Sequence, residues 1–361
     1  MFSREGFYSS LSDNLFRSLS TPTRRGFLSG VAATAAAGAM LGGSRPAFAA
    51  DNGADVIFVD GTIAPMTGAG TVGALAIGGG KVLAAGSPST VMGLKTKNTK
   101  IVDLDGRTVM PGFVDPFLDD GSDQTETGAQ TQDYLNSKSK GATNYPADQL
   151  KTMVAEIKAF GMPVLIHCNG DLAIDNALDA IEAAYQGSTA LGINRIEHST
   201  MARADQIQRM KKLGVQPSFF MNHLRLYGAA FRDDIFGPER ANNVDPTGWC
   251  AKSGVPFSFH TDSPCSPLGA LTLAETAVTR RCIIDNSILG KDQAVSVDHA
   301  LRAITIDAAK QCGMGDRIGS LEKGKEADLV ILEDNPYKVD PETISKIKIS
   351  ETWVGGQKKF G

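Results

Sequence analysis

The chain has 361 residues, with 36 Lys and Arg against 40 Asp and Glu, and a formal net charge of −4. This balance argues against a nucleic-acid partner and against attraction to an anionic membrane. The five cysteines are odd in number and have no C-x-x-C spacing, so they do not indicate a disulfide framework.

The N-terminal segment has the features of an export signal. It contains the twin-arginine pattern Thr23-Arg24-Arg25-Gly26-Phe27-Leu28, an apolar run over 31–43 and the A-x-A site Ala47-Phe48-Ala49. We therefore predict that residues 1–49 are a cleaved signal peptide and that the protein crosses the membrane folded, to a periplasmic or extracellular location without a membrane anchor. An uncleaved anchor is the alternative, although the apolar run is short for a membrane span.

Both ends of the remaining chain favour β-structure. Short apolar or alternating segments lie between glycine turns, and they predict strands over 55–59, 74–77, 81–84, 100–104, 327–332 and 349–354. We predict that 50–108 and 320–361 together form one small β-sandwich domain.

The middle of the chain alternates strands with helices, which is typical of an α/β fold with a parallel sheet. Repeated β-α units over residues 109–319 predict a parallel sheet with functional side chains at the carboxyl ends of its strands. Helices are predicted over 147–160, 171–185, 204–213, 247–253, 267–281 and 297–312.

Three of the predicted strands end in a polar side chain. These strands finish at His167, at His198 and, for 255–262, at Asp262. Two imidazoles and a carboxylate at the rim of a sheet are what a hydrolytic zinc site uses. A hydrogen-bonded core histidine is the alternative for His167 and for His198.

Three further residues lie close to these strand ends. His260 shares a strand face with Asp262, so it is either a substrate contact or a packing residue. His223 lies just past a strand end. It is predicted to contact the substrate, and a surface loop residue is the alternative. Glu197 is expected on the face opposite His198, where it would pair with Arg195.

The ordered motifs of the chain resemble the amidohydrolase superfamily, specifically amidohydrolase family 3 and its N-substituted formamide deformylase-like branch. The resemblance covers 51–356, and its motifs are Val109-Met110-Pro111-Gly112-Phe113-Val114-Asp115, Asp120-Gly121-Ser122, His167-Cys168-Asn169-Gly170-Asp171, Arg195-Ile196-Glu197-His198, His260-Thr261-Asp262-Ser263-Pro264 and Gly319-Ser320-Leu321-Glu322-Lys323-Gly324. The resemblance implies a (β/α)8 barrel over 109–319 beside a β-sandwich made from both ends of the chain, which agrees with the organisation predicted above. The barrel would be truncated, because the sequence predicts five barrel strands where closure normally takes eight.

The resemblance implies a metal-dependent amidohydrolase that hydrolyses a non-peptide C–N bond of a small amide or formamide through metal-activated water. It implies a divalent metal ion, with zinc expected, held by His167, His198 and Asp262, and Asp262 as the catalytic proton acceptor. One departure is that Pro116-Phe117-Leu118-Asp119 stands where the family has a His-x-His pair of metal ligands. An internal deletion would account for this, and the alternative function is a catalytically impaired remnant. Open barrel edges would favour self-association.

Overall fold

The computed structural model describes residues 53–65, 70–111, 122–159, 162–185 and 192–361. Its strands are Ala54–Val59 (β1), Thr62–Ile63 (β2), Ala74–Gly78 (β3), Lys81–Gly86 (β4), Lys95–Asp103 (β5), Thr108–Pro111 (β6), Leu165–Cys168 (β7), Arg195–His198 (β8), Gln216–Phe219 (β9), Ser258–Phe259 (β10), Leu329–Leu332 (β11), Ile349–Val354 (β12) and Gln357–Phe360 (β13). The predicted signal peptide and the segment 112–121 lie outside these ranges.

The α-helices are Pro88–Met92 (α1), Ala147–Ala159 (α2), Asp171–Tyr185 (α3), Ala204–Leu213 (α4), Asn222–Ala230 (α5), Pro238–Ala241 (α6), Thr247–Ser253 (α7), Ala270–Thr279 (α8), Val297–Ala303 (α9) and Ile306–Gln311 (α10). Short 3-10 turns lie at Asp123–Thr125, Lys291–Gln293 and Pro341–Lys346, and a π-helical turn lies at Phe231–Ile235. Within the described ranges, no helix is both long and apolar enough to cross a bilayer.

The centre of the molecule is a parallel sheet in the order β10-β9-β8-β7. The register pairs Cys168 with His198 and Ser218 with Ser258. The sequence predicted five barrel strands, whereas this sheet contains four and does not close into a barrel within the described part of the chain. Strand β6 includes Val109, the start of the predicted barrel domain, but it pairs with β11 and β2.

One core joins the sheet to its helices. In α3, Ile174, Leu178 and Ile181 lie on one stripe and are at most 1% exposed, because their spacing follows the helical repeat. They pack in one cluster with Ile196 of β8 and Phe219 of β9. Burying each such side chain contributes about 1.5–3 kcal/mol, so this layer holds α3 against β8 and β9.

The β-rich ends form two further sheets, in the orders β4-β3-β1-β5 and β13-β12-β11-β6-β2. Both sheets contribute to one buried cluster that includes Phe58, Ile77, Ile331 and Trp353. The rings of Phe58 and Trp353 meet edge to face at 5.4 Å. The N- and C-terminal strands therefore share one core, which is consistent with a domain built from both ends of the chain. The predicted boundaries of that domain, 50–108 and 320–361, stay a prediction.

Two predicted elements are shorter than expected. The helix predicted over 297–312 is divided into α9 and α10, because the backbone at Thr305 leaves the helical region (φ −133°, ψ −100°). Thr305 Oγ1 donates to the carbonyl of Leu301 at 2.7 Å, within this break. The strand predicted over 255–262 contains only Ser258–Phe259, so His260 and Asp262 follow the strand instead of belonging to it.

Candidate metal centre

The candidate site lies at the carboxyl edge of the parallel sheet. His198 is the last residue of β8, His167 is the third of the four residues of β7, and His260 directly follows β10. Parallel strands present these ends on the same edge. His198 and Asp262 have left-handed backbone conformations, with φ of +63° and +53°. Such conformations are uncommon for residues other than glycine and cluster at functional sites.

The structure brings His198, His260 and Asp262 into one group. Each offers a ligand atom, and these atoms all lie within 4.8 Å of one another. His260 Nε2 lies 3.2 Å from His198 Nδ1. The side chains are nearly enclosed, with exposed fractions of 2% for His198, 0% for His260 and 9% for Asp262. The predicted ligand His167 is adjacent, since its ring centroid is 4.4 Å from that of His198.

The candidate substrate residue His223 is buried in the first turn of α5, at 2% exposure, so the alternative of a surface loop residue is wrong. Its ring centroid lies 5.7 Å from that of His198. Thr200 Oγ1 donates to Asn169 Oδ1 at 2.6 Å and lies 3.0 Å from His223 Nδ1. Asn169 Nδ2 in turn lies 3.1 Å from His167 Nε2. One polar chain therefore connects the two histidines.

Glu197 pairs with Arg195 as predicted, but the expectation that it faces away from the site is wrong. Glu197 Oε2 lies 3.9 Å from His260 Nδ1, and both side chains are buried. Simple alternation along a strand would place Glu197 and His198 on opposite faces. The left-handed backbone at His198 breaks that alternation, so the His198 ring lies over the same interior.

The electrostatics of the site favour neutral imidazoles. Burial lowers the pKa of His198 well below its usual value, and His260 and His167 lower it further. Burial and the charge of Arg195 lower the pKa of His260 to about 3. Neutral imidazole is the form that binds a metal ion. His198 Nε2 is buried and has no hydrogen-bond partner among the described residues, so this atom is placed to bind a ligand.

A cavity of about 690 Å³ lies beside β7 and includes His167 in its wall. The apolar part of the wall comes mainly from α2 and β7, through residues such as Leu150, Val154 and Leu165. Within the part of the chain that the structure describes, Glu126 is the only carboxylate that lines the cavity, and no Lys or Arg lines it. The cavity therefore suits an uncharged, partly apolar molecule.

Sequence reasoning missed Ser218 and Thr200. Ser218 is fully buried in β9, and its Oγ lies 2.9 Å from His260 Nδ1. A hydroxyl within the apolar run before Phe219 and Phe220 was the available signal, because a buried hydroxyl needs a partner. That signal does not identify the partner, since Ser218 and His260 are 42 positions apart.

Comparisons with known proteins agree with this architecture. The sequence model of the amidohydrolase family matches residues 117–358. The N-substituted formamide deformylase of Arthrobacter pascens is 30% identical over 226 residues, which are 61% of this chain and 40% of that protein. The protein LONG AFTER FAR-RED 3 of Arabidopsis thaliana is 28% identical over 253 residues, or 69% of this chain and 43% of that protein.

Solved structures show the same fold at low identity. An uncharacterized metal-dependent hydrolase from Pyrococcus furiosus superimposes with a TM-score of 0.67 at 17% identity, covering 78% of this chain and 100% of that one. The chain belongs to the amidohydrolase family, which confirms the resemblance inferred from its motifs. The chain spans less than half the length of the formamide deformylase and of LONG AFTER FAR-RED 3.

Proposed function

We propose that this protein is a metal-dependent hydrolase that cleaves a non-peptide C–N bond, in an amide or a formamide, with water. The observation that carries the proposal is the group formed by His198, His260 and Asp262, with ligand atoms within 4.8 Å of one another at the carboxyl edge of the sheet. The 30% sequence identity to an N-substituted formamide deformylase supports hydrolysis of the same type of bond.

The residues present fit a divalent metal ion. Two neutral imidazoles and a carboxylate match the ligands of catalytic zinc, and His198 Nε2 is a buried ring atom with no hydrogen-bond partner among the described residues. We assign His198 and Asp262 as ligands together with His167 or His260, both of which adjoin His198. When bound, the metal ion would polarise the substrate carbonyl and lower the pKa of water from 15.7 to about 7 in the most favourable cases.

The chain's own residues carry the proton transfer. The Asp262 carboxylate, at the end of a buried segment, accepts a proton from the attacking water and returns it to the leaving nitrogen. His223 faces the same histidine cluster and is assigned to contact the substrate. The products are an amine and a carboxylate.

The cavity beside β7 accommodates the rest of the substrate. Among the described residues, its wall has one carboxylate and no Lys or Arg, while α2 contributes apolar side chains. Since His167 lies in this wall, a bond presented to the candidate metal site leaves an uncharged, apolar substituent in the cavity.

The proposal also covers the location of the protein, its domain architecture and its self-association. The twin-arginine pattern supports export of the folded protein to the periplasm or beyond. The shared core of the two terminal sheets supports a β-sandwich beside a partial barrel. Within the described residues, β7 and β10 are edge strands of the four-stranded parallel sheet, which supports self-association.

A catalytically impaired remnant is the second candidate. The four-stranded sheet and the coverage of 40% of the formamide deformylase favour it. So does the sequence Pro116-Phe117-Leu118-Asp119, which has no histidine where the family has a metal-binding pair. In this case the site would lack ligands that relatives use.

Zinc content separates the two candidates. The protein without residues 1–49 is purified, passed through gel filtration and measured by elemental analysis, together with His198→Ala and the exposed control His299→Ala. The hydrolase proposal requires a ratio near one zinc per chain in the parent and the control, and background in His198→Ala. A ratio near zero in a folded, monodisperse parent removes the metal-dependent mechanism and leaves the remnant.

A further inference from the structure

The turn after β10 brings Asp262 to the candidate metal site. Asp262 has a φ of +53°, and its side chain lies in the group that it forms with His198 and His260. A left-handed backbone conformation costs energy in any residue except glycine, and it persists only where the surrounding contacts hold it. The contacts that hold this turn therefore decide where the Asp262 carboxylate lies.

Two hydrogen bonds close the turn. Cys265 N donates to the Asp262 carbonyl at 2.7 Å, and Ser266 Oγ donates to the Thr261 carbonyl at 2.5 Å. Because a peptide group is planar, a return of Asp262 to a negative φ with its side chain in place would rotate the Thr261 carbonyl. The hydrogen bond from Ser266 opposes that rotation.

Helix α5 supplies a partner for Ser266. Asn222, the first residue of α5, donates from Nδ2 to Ser266 Oγ at 2.6 Å. The direction of both bonds is determined, because a carbonyl only accepts and a serine hydroxyl has a single proton. That proton is donated to Thr261, so Ser266 Oγ accepts from Asn222, and the amide nitrogen of Asn222 must be the atom that faces it.

These contacts are enclosed by the protein. Asn222, Ser266 and Thr261 are 4%, 3% and 1% exposed, so bulk water has little access to replace either bond. Asn222 also directly precedes His223, the candidate substrate contact. The line from Asn222 through Ser266 to Thr261 therefore links the start of α5 to the backbone at Asp262.

We propose that Ser266 and Asn222 are positioning residues, which hold Asp262 in its left-handed conformation and so keep its carboxylate beside His198 and His260. Both act through the backbone of the turn, and neither is itself assigned as a metal ligand. The conformational part of the proposal concerns the metal-free protein. Its consequence for metal affinity rests on the proposed function, because partners outside the ligand group orient the ligands.

The direct test is the backbone conformation of Asp262 in crystal structures of the metal-free parent and of Ser266→Ala. We expect a positive φ in the parent and a negative φ in the variant, because the variant has lost the donor to the Thr261 carbonyl. The matched control is Thr305→Val, which removes a fully buried hydroxyl that donates to the Leu301 carbonyl at 2.7 Å, outside the site. This control should keep the positive φ. A negative φ in the parent, or a positive φ in Ser266→Ala, would overturn the proposal.

Hydrogen–deuterium exchange mass spectrometry tests the same variants in solution. Ser266→Ala is expected to speed exchange over 262–266, which includes the bonded amide of Cys265, and Ser266→Thr, which keeps the hydroxyl, should restore the parent rate. Asn222→Ala should speed exchange in the same segment to a smaller extent, because the Ser266 donor remains. Thr305→Val should leave this segment unchanged. Equal exchange in the parent and in a folded Ser266→Ala protein would contradict the proposal.

Zinc competition with a chromogenic chelator measures the consequence for the candidate site. Ser266→Ala is expected to weaken zinc affinity about 10–100-fold, as for other partners that orient metal ligands, while Ser266→Thr and Thr305→Val keep the parent affinity. If the parent and Ser266→Ala differ in the φ of Asp262 as expected and the parent binds no zinc, the proposed function fails and the positioning role stands. If both bind zinc equally tightly, the positioning role fails and the proposed function stands.

Discussion

Arg195 and Glu197 form an ion pair in which the side chains are 2% and 1% exposed. The pair lies in β8, directly before His198, and Arg195 Nη1 also donates to Cys312 Sγ at 3.8 Å. Two charges in such an enclosed position depend strongly on each other, because either one alone would be buried without compensation. The candidate metal site therefore lies next to a buried ion pair. Removing both partners of this pair should cost less stability than removing one.

The first prediction concerns this pair. Arg195→Met is expected to lower the free energy of unfolding by about 3–5 kcal/mol, because it leaves the Glu197 carboxylate buried and unpaired. The measurement is urea denaturation followed by circular dichroism. Arg195→Met combined with Glu197→Leu should recover most of the loss. The control Lys358→Met removes the more exposed pair with Glu351 and should cost less than about 1 kcal/mol. Equal losses for Arg195 and Lys358 would refute the prediction.

The second prediction concerns the pH dependence of stability. Burial raises the pKa of Asp123 from 3.8 to about 7, and its Oδ1 accepts hydrogen bonds from Gln130 and Tyr134. The folded protein therefore binds this proton more tightly than the unfolded chain. The resulting stability is complete below about pH 4 and is lost as pH rises toward 7, by at most about 1.4 kcal/mol per pH unit.

Asp123→Asn keeps the accepting oxygen and removes the titration. Urea unfolding of the parent and of this variant, measured at intervals from pH 5 to 8, should give a flatter dependence for the variant. Asp148→Asn, at a fully exposed carboxylate, serves as the control and should follow the parent. Parallel curves for the parent and Asp123→Asn would show that Asp123 does not titrate in this range.

The third prediction concerns the segment from Glu126 to Thr131, of which Glu126–Ala129 line the cavity beside β7. The carboxylate of Asp171, the first residue of α3, accepts from Thr131 N and Oγ1, at 2.8 and 2.5 Å, and from Arg203 at 2.9 Å. Asp171→Ala should release the backbone around Thr131, so its amides exchange faster in hydrogen–deuterium exchange mass spectrometry. The control Asp179→Ala removes a more exposed contact with Arg209 and should leave that exchange unchanged.

The fourth prediction concerns close packing at Gly170. A Cβ atom added to Gly170 would lie 1.9 Å from the carbonyl oxygen of Ala129, which is backbone and cannot rotate away. Gly170→Ala should therefore lower the melting temperature and displace the same cavity wall. The matched control is Gly86→Ala, where an added Cβ meets nothing within 4 Å. Calorimetry of the two variants decides the point, and equal melting temperatures would disprove the clash.

The helical and strand pattern was largely readable from the sequence, because local periodicity determines it. Helix α3 occupies the predicted 171–185, since Ile174, Leu178 and Ile181 repeat at helical spacing. The strand predicted over 255–262 was too long, because that prediction also rested on the local sequence pattern alone. An apolar run predicts burial, and it does not reveal that the backbone turns at Asp262 with a positive φ.

The sequence by itself determined the α/β class, the family motifs and the residue types of the site, because these depend on local order along the chain. Only the tertiary structure decided that His260 contacts His198 across 62 positions and that Glu197 lies on the same side as both. These relationships depend on strand register and on the left-handed backbone at His198, and neither leaves a periodic signal in the sequence.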